Sequence, residues 1–173
     1  MEVYFDNAAT TKILPEVREI MLETMDVEYG NPSSLHMKGV EAEKYLRYAR
    51  EVLSKELKCE PKELIFTSGG TESNNLALLG IAAANKRAGN HIITTRIEHA
   101  SVYNPVFYLE EQGFRVSFLD VDEHGIVDLE QLKNELCEDT ILVSVMAVNN
   151  EIGAVEPIEE VGKLIGEFNR THK

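Results

Sequence analysis

The chain predicts an α/β fold, and three observations carry that prediction. From residue 64 onward short apolar runs alternate with stretches of helical periodicity. Glycines and asparagines punctuate the joins at Gly89-Asn90, Gly113, His124-Gly125 and Gly153. One run, Thr140-Ile141-Leu142-Val143-Ser144-Val145-Met146-Ala147-Val148, is apolar almost throughout, as expected of a central strand covered on both faces.

Taken in order, Pro15 opens a first helix whose Val17, Ile20, Met21 and Thr24 share one face. Ala42, Leu46, Ala49, Leu53 and Leu57 do the same for a longer helix over 39–58. Then follow a strand at 64–67, a helix at 72–85, a strand at 91–96 and a helix at 101–112. A strand at 114–120, a short helix at 128–137, a strand at 140–148 and a helix at 157–170 complete the series, with Pro157 suited to a helix start. The expected division is an N-terminal arm and helical segment over 1–60, then an α/β domain over 61–173. No internal repeat or low-complexity linker interrupts it.

Composition narrows the function classes. At 173 residues and 43% hydrophobic content the chain can bury one substantial core. No apolar run approaches the roughly 20 residues that cross a bilayer. Met1-Glu2-Val3-Tyr4-Phe5-Asp6 has neither a basic start nor a long apolar segment, so no secretory signal and a cytoplasmic setting are expected. Thirty acidic against seventeen basic residues give a formal charge of -13, which opposes binding to nucleic acid. Cys59 and Cys137 stand beside Glu60, Glu138 and Asp139, which should raise a thiol's pKa. With no second Cys or His at ligand spacing, neither a disulfide nor a metal site is expected.

The segment Phe66-Thr67-Ser68-Gly69-Gly70-Thr71-Glu72-Ser73-Asn74-Asn75 carries the chemistry. Leu64, Ile65 and Phe66 read as a buried strand, Gly69 and Gly70 admit a ligand close to the backbone, and Thr71 is placed to cap the next helix. Free N–H groups at such a helix start suit an anion such as phosphate. An ordinary strand-to-helix turn looks the same, so neighbouring segments must decide. Ligands in parallel sheets sit beyond the strands' carboxyl ends, and Gly69 to Thr71, His99 and Asn149-Asn150 each follow a strand directly. Three segments therefore converge on one crevice.

Those segments have company. With Tyr4-Phe5-Asp6-Asn7-Ala8-Ala9-Thr10-Thr11, Gly30-Asn31-Pro32-Ser33-Ser34-Leu35-His36, Glu98-His99 and Val148-Asn149-Asn150-Glu151-Ile152-Gly153, the glycine turn resembles the N-terminal part of a cysteine desulfurase of the class V aminotransferase-like group. The resemblance runs from about Val3 to the end. It implies part of the large domain of a type I pyridoxal-phosphate transferase, a three-layer α/β/α arrangement around a mostly parallel sheet, preceded by a helical segment.

The resemblance also implies roles. Gly70 and Thr71 match the positions that hold the cofactor phosphate, with Gly70 standing where many relatives have Ala. His99 matches a histidine that lies over the pyridine ring and shuttles protons, a task suited to a flat side chain that titrates near neutrality. A histidine capping the helix that follows is the alternative at this position. Asn150 matches the asparagine that reaches the cofactor's phenolic oxygen. Asn149 is the alternative there, and the sequence leaves an exchange of roles open. Ser68, Glu72, Glu151 and Gly153 read as structural. His36 is a weaker candidate at the site's mouth; His91, His124 and His172 have no motif behind them.

Family members are about twice this length, and the Schiff-base lysine, the pyridine-pairing aspartate and the persulfide-forming cysteine match nothing in this sequence. Lys173, at the terminus, is not a candidate for the lysine. The expected reaction of the complete enzyme is removal of sulfur from L-cysteine to give alanine and an enzyme persulfide for iron-sulfur cluster assembly. The cofactor is pyridoxal phosphate, and the expected partners are a second copy of the chain and a scaffold or other sulfur acceptor. This chain alone is expected to be inactive. A selenocysteine lyase, an aminotransferase or a non-catalytic dimerisation module are the alternatives.

Overall fold

The computed structural model describes residues 1–172; Lys173 lies outside them. The chain divides into two compact units, Met1–Phe66 and Thr67–Lys173.

In the first unit, α1 (Pro15–Asp26) starts on its proline and buries none of its residues. Before α2 (Met37–Leu57) the chain crosses itself closely. A Cβ on Gly30 would lie 2.2 Å from the Lys38 carbonyl oxygen, and one on Gly39 would lie 2.2 Å from that of Ser34. Only glycine fits at either place. His36 caps α2, its Nδ1 accepting the Gly39 N–H at 3.3 Å. The helix stops at Lys58, whose left-handed backbone (φ 53°) turns the Cys59 N–H back to the Ser54 carbonyl at 3.0 Å. A single 3₁₀ turn, Pro61–Glu63, follows.

The strand expected at 64–67 does not form. Leu64 to Thr67 have no strand pairing, Ile65 is 70% exposed, and Phe66 is exposed as well. An extended segment becomes a strand only when a neighbour completes its ladder, and no described residue does so here. Arg50 holds the segment instead, donating to the Leu64 carbonyl and lying 4.7 Å from the Phe66 ring centre.

The second unit is the α/β domain. Its parallel sheet has the order β2-β1-β3, formed by β1 (His91–Thr95), β2 (Arg115–Leu119) and β3 (Thr140–Val143). Around it stand α3 (Gly70–Asn85), α4 (Ala100–Glu111), α5 (Leu129–Glu135) and α6 (Ile158–Thr171). Alternation along β1 separates two cores. Ile93 packs with Leu119 of β2, Leu132 of α5 and Val161 of α6, while Ile92 packs with Ala82 of α3 and Leu109 of α4. Val102 and Val106 of α4 extend the second core with Leu78 of α3. Helices thus cover both faces, the three-layer arrangement that the family resemblance implies. Burying Ile92 and Ile93 completely contributes on the order of 1.5–3 kcal/mol each.

The central strand is β1, every residue of which is buried. The run 140–148, expected in that place, is shorter and lies at the edge: β3 ends at Val143 and its residues are half-buried. Its apolar sequence suits burial on both faces, but among the described residues only β1 pairs with it. The Ser144 N–H still donates to the Ile93 carbonyl of β1 at 2.8 Å, and farther on Val148 pairs antiparallel with Val155 as an isolated bridge.

Candidate functional site

Gly69 is extended (φ 165°, ψ 179°), and the helix begins at Gly70, two residues before the predicted start. Gly69, and not Thr71, occupies the cap position. Thr71 already lies inside the first turn, where its carbonyl accepts Asn75 Nδ2–H at 2.8 Å. No side chain caps the helix N–H groups; Glu72 reaches back instead to the residue before Gly69. Glu72 Oε2 accepts the Ser68 backbone N–H at 2.6 Å and the Ser68 hydroxyl at 2.7 Å. Both bonds favour its charged form and hold the carboxyl below the usual glutamate range. Ser68 and Glu72 are therefore structural, as their positions predict.

This arrangement leaves donors available. The Ser73 N–H returns to the Gly69 carbonyl at 3.0 Å, but those of Gly70, Thr71 and Glu72 meet no acceptor among the described residues. A Cβ on Gly69 or Gly70 would meet nothing within 4 Å. Packing does not require either glycine, and the space above them is open. Three free N–H groups, the positive end of a helix and a threonine at its start form a donor set that fits a phosphate.

His99 is the N-cap of α4. Its Nδ1 accepts the Ser101 N–H at 3.1 Å and lies 2.8 Å from the Ser101 hydroxyl, which in turn accepts from Asn74 Nδ2 at 2.8 Å. The capping role and a place in a cavity coexist. A cavity of about 440 Å³ is lined by Thr71, Asn75, His99, Ser101, Asn104 and Tyr108, among others. Of the four predicted site residues, Thr71 and His99 share it.

Asn150 does not line that cavity; it is exposed, and its Nδ2 donates to Glu151 Oε1 at 2.9 Å. Asn149 is the buried one. Its Oδ1 accepts the N–H groups of Glu151 and Ile152 at 2.8 and 3.1 Å, and its Nδ2 donates to the Ile97 carbonyl at 3.0 Å. The loop is fixed by Asn149, which leaves Asn150 outside that framework. Glu98 ties the same segments together, its Oε1 accepting the Met146 N–H at 2.7 Å. Burial raises its pKa, and the bonds from Met146 and Thr95 oppose the rise.

Sequence reading missed Asn74, Ser101 and Asn104. A signal for the first was present: Glu72-Ser73-Asn74-Asn75 is polar throughout, yet it opens a helix that is otherwise mostly apolar. Cys137 also departs from expectation. Partial burial raises its thiol pKa, but the Thr140 hydroxyl, the Asp139 N–H and Arg115 together outweigh it, and the net shift is downward. Arg115 Nη2 lies 2.9 Å from the sulfur. The acidic flanks predict the opposite because they miss Arg115, which arrives from β2.

Similarity to known proteins agrees with this architecture. The aminotransferase class-V family matches residues 3–170, and the chain belongs to that family. Within it, the chain is 51% identical over 168 residues to cysteine desulfurase IscS of Clostridium botulinum, covering 97% of this chain and 42% of that protein. It is 46% identical over 171 residues to a mitosomal cysteine desulfurase of Trachipleistophora hominis, covering 97% and 39%. The structure of a NifS-like protein superposes with a TM-score of 0.94 at 43% identity, covering 98% of this chain and 47% of that one. SspA in complex with cysteine gives 0.90 at 36%, covering 96% and 48%. The chain thus spans about two-fifths of the length of the curated relatives it matches.

Proposed function

We propose that this chain contributes the phosphate grip and the ring-facing histidine of a pyridoxal-phosphate site in a cysteine desulfurase. The observation that carries the reading is that Thr71, at the start of a helix with three free N–H groups, shares one cavity with His99. When bound, pyridoxal phosphate supplies an electron sink for bonds breaking at the carbon next to the substrate amine. The chain's own residues do the rest. Gly70 and Thr71 hold the phosphate through backbone N–H groups and the threonine hydroxyl. His99 would face the bound group from the same cavity and hold or move a proton at Nε2, the nitrogen that capping leaves unused. Asn150, free of the framework that Asn149 holds, supplies an amide donor to the phenolic oxygen.

The substrate in this reading is L-cysteine, supported by the relatives' names and by the similar structure described as containing cysteine. The products are alanine and a persulfide whose sulfur passes to an iron-sulfur scaffold or another acceptor. A cytoplasmic setting is part of the proposal. No helix among the described residues is long and apolar enough to cross a membrane. No group of three or more metal-ligating side chains occurs among them either. A second copy of the chain is the proposed partner. The residues that attach the cofactor and carry the persulfide have no counterpart in these 173 residues, so this chain by itself releases no alanine from cysteine.

The test is a titration with pyridoxal phosphate, followed by borohydride reduction and intact-mass measurement. Saturable binding without a reduced adduct is expected, weakened about tenfold in Thr71→Ala by loss of one hydrogen bond to a charged group. Gly70→Ala should fold and bind as the parent does, since nothing stands within 4 Å of the added Cβ and the backbone N–H is kept. Absence of binding, or binding indifferent to Thr71→Ala, would overturn the proposal.

A further inference from the structure

Asn74 on α3 and Ser101 on α4 are joined by a hydrogen bond with a fixed direction. The Asn74 amide nitrogen only donates, so the Ser101 oxygen accepts at 2.8 Å and its own proton must go elsewhere. The acceptor in reach is His99 Nδ1, 2.8 Å away. That nitrogen also receives the Ser101 backbone N–H at 3.1 Å. A nitrogen that takes a backbone N–H must present its lone pair, so the ring proton of neutral His99 sits on Nε2. Ser101 is buried, 8% exposed, which makes an unused hydroxyl proton costly there.

We infer that Asn74 and Ser101 are positioning residues for His99: the chain from amide to hydroxyl to imidazole fixes the ring's orientation and tautomer, leaving Nε2–H to serve the cavity shared with Thr71. How the ring is held follows from this geometry; what Nε2–H meets rests on the proposed cofactor site. In this form Nε2 donates a hydrogen bond and cannot accept one, so the group it first meets must offer an acceptor. Asn74 lies three residues after Thr71 on the same helix, so the phosphate grip and the ring histidine share one support.

The experiment is a long-range proton–nitrogen correlation spectrum of the 173-residue chain labelled with ¹⁵N-histidine, at about pH 8, above the imidazole range. His99→Gln identifies the signals. The parent should show His99 as a single Nε2–H form. In Asn74→Asp a carboxylate replaces the donor and draws the Ser101 hydroxyl proton to itself. The Nδ1–H population should then rise about three- to tenfold, the equilibrium weight of one hydrogen bond. If that variant does not fold, Ser101→Ala and Ser101→Thr make the same comparison, with mixing expected in the first and the parent pattern in the second. A parent ring that samples both forms, or one that ignores Asn74→Asp while Ser101→Ala also leaves it unchanged, overturns the inference. Addition of pyridoxal phosphate separates the two ideas. A shifted Nε2 signal supports both, whereas an unmoved signal on a ring still locked as Nε2–H sinks the cofactor site and leaves the positioning intact.

Discussion

His91 Nε2 lies 2.9 Å from Ser117 Oγ, across the ladder between β1 and β2. Ser117 donates to Glu135 at 2.6 Å, so it accepts from the ring; on the other side Nδ1 lies 2.8 Å from Thr140 Oγ1 of β3. A neutral, fully buried imidazole therefore ties three strands together. Burial first, and the Arg115 charge second, push its pKa below the ordinary imidazole value, against the opposing carboxylates of Glu135 and Asp139.

That direction sets a pH dependence. The unfolded chain binds a proton at this residue more readily than the folded one does. The stability contributed by His91 is thus present above the ordinary value of about 6.5 and lost as pH falls below it toward the depressed folded value. Urea midpoints measured across this window should drop on acidification in the parent and fall less steeply in His91→Gln. Parallel slopes would remove His91 as the cause.

Cys137 should behave as an activated thiol. In a Cys59→Ser background, alkylation by iodoacetamide near neutral pH should slow when Arg115→Ala removes the guanidinium 2.9 Å from the sulfur. An unchanged rate would mean that the hydrogen bonds from Thr140 and Asp139 suffice without it.

The two neighbouring asparagines should separate stability from binding. Asn149→Ala loses a buried amide that holds Glu151, Ile152 and Ile97, and should cost about 2 kcal/mol in denaturant unfolding. Asn150→Ala, at an exposed position, should stay within about 0.5 kcal/mol of the parent while weakening pyridoxal phosphate binding. Equal losses of stability would contradict this division of labour.

Self-association should pass through α1. Val17, Ile20, Met21, Leu22 and Met25 are all exposed on a helix that buries nothing, more apolar surface than a solitary helix tolerates. Sedimentation at about micromolar concentration should show a dimer, and Ile20→Glu with Met21→Lys should shift it toward monomer. A parent chain that sediments as a monomer counts against the proposed homodimer.

Local patterns made most elements of the second unit legible, because helix and strand periodicities there agree with one compact core. Pro15, Gly113 and Gly125 mark boundaries through backbone constraints that the sequence states directly. Segment 64–67 and the edge position of β3 were not legible, since apolar strands announce burial but not the identity of their neighbours. At the site, Thr71 and His99 stand out by motif. That Gly69 and not Thr71 takes the cap position, with the Glu72 carboxylate reaching back four residues to Ser68, is an outcome that composition does not rank. Asn74 and Ser101 meet across 27 positions of sequence, and no local periodicity encodes that encounter.

The unpaired segment at 64–67 also bears on solubility. Its exposed Ile65 and Phe66, on extended backbone without a ladder, form an adhesive stretch spliced directly to the glycine turn. The formal charge of -13 offers a diffuse repulsion against clumping, and salt screens that repulsion. Concentrated, salty solutions should therefore harm this chain through its stickiest residues, and the first part to be buried in an aggregate would be the approach to its own glycine turn.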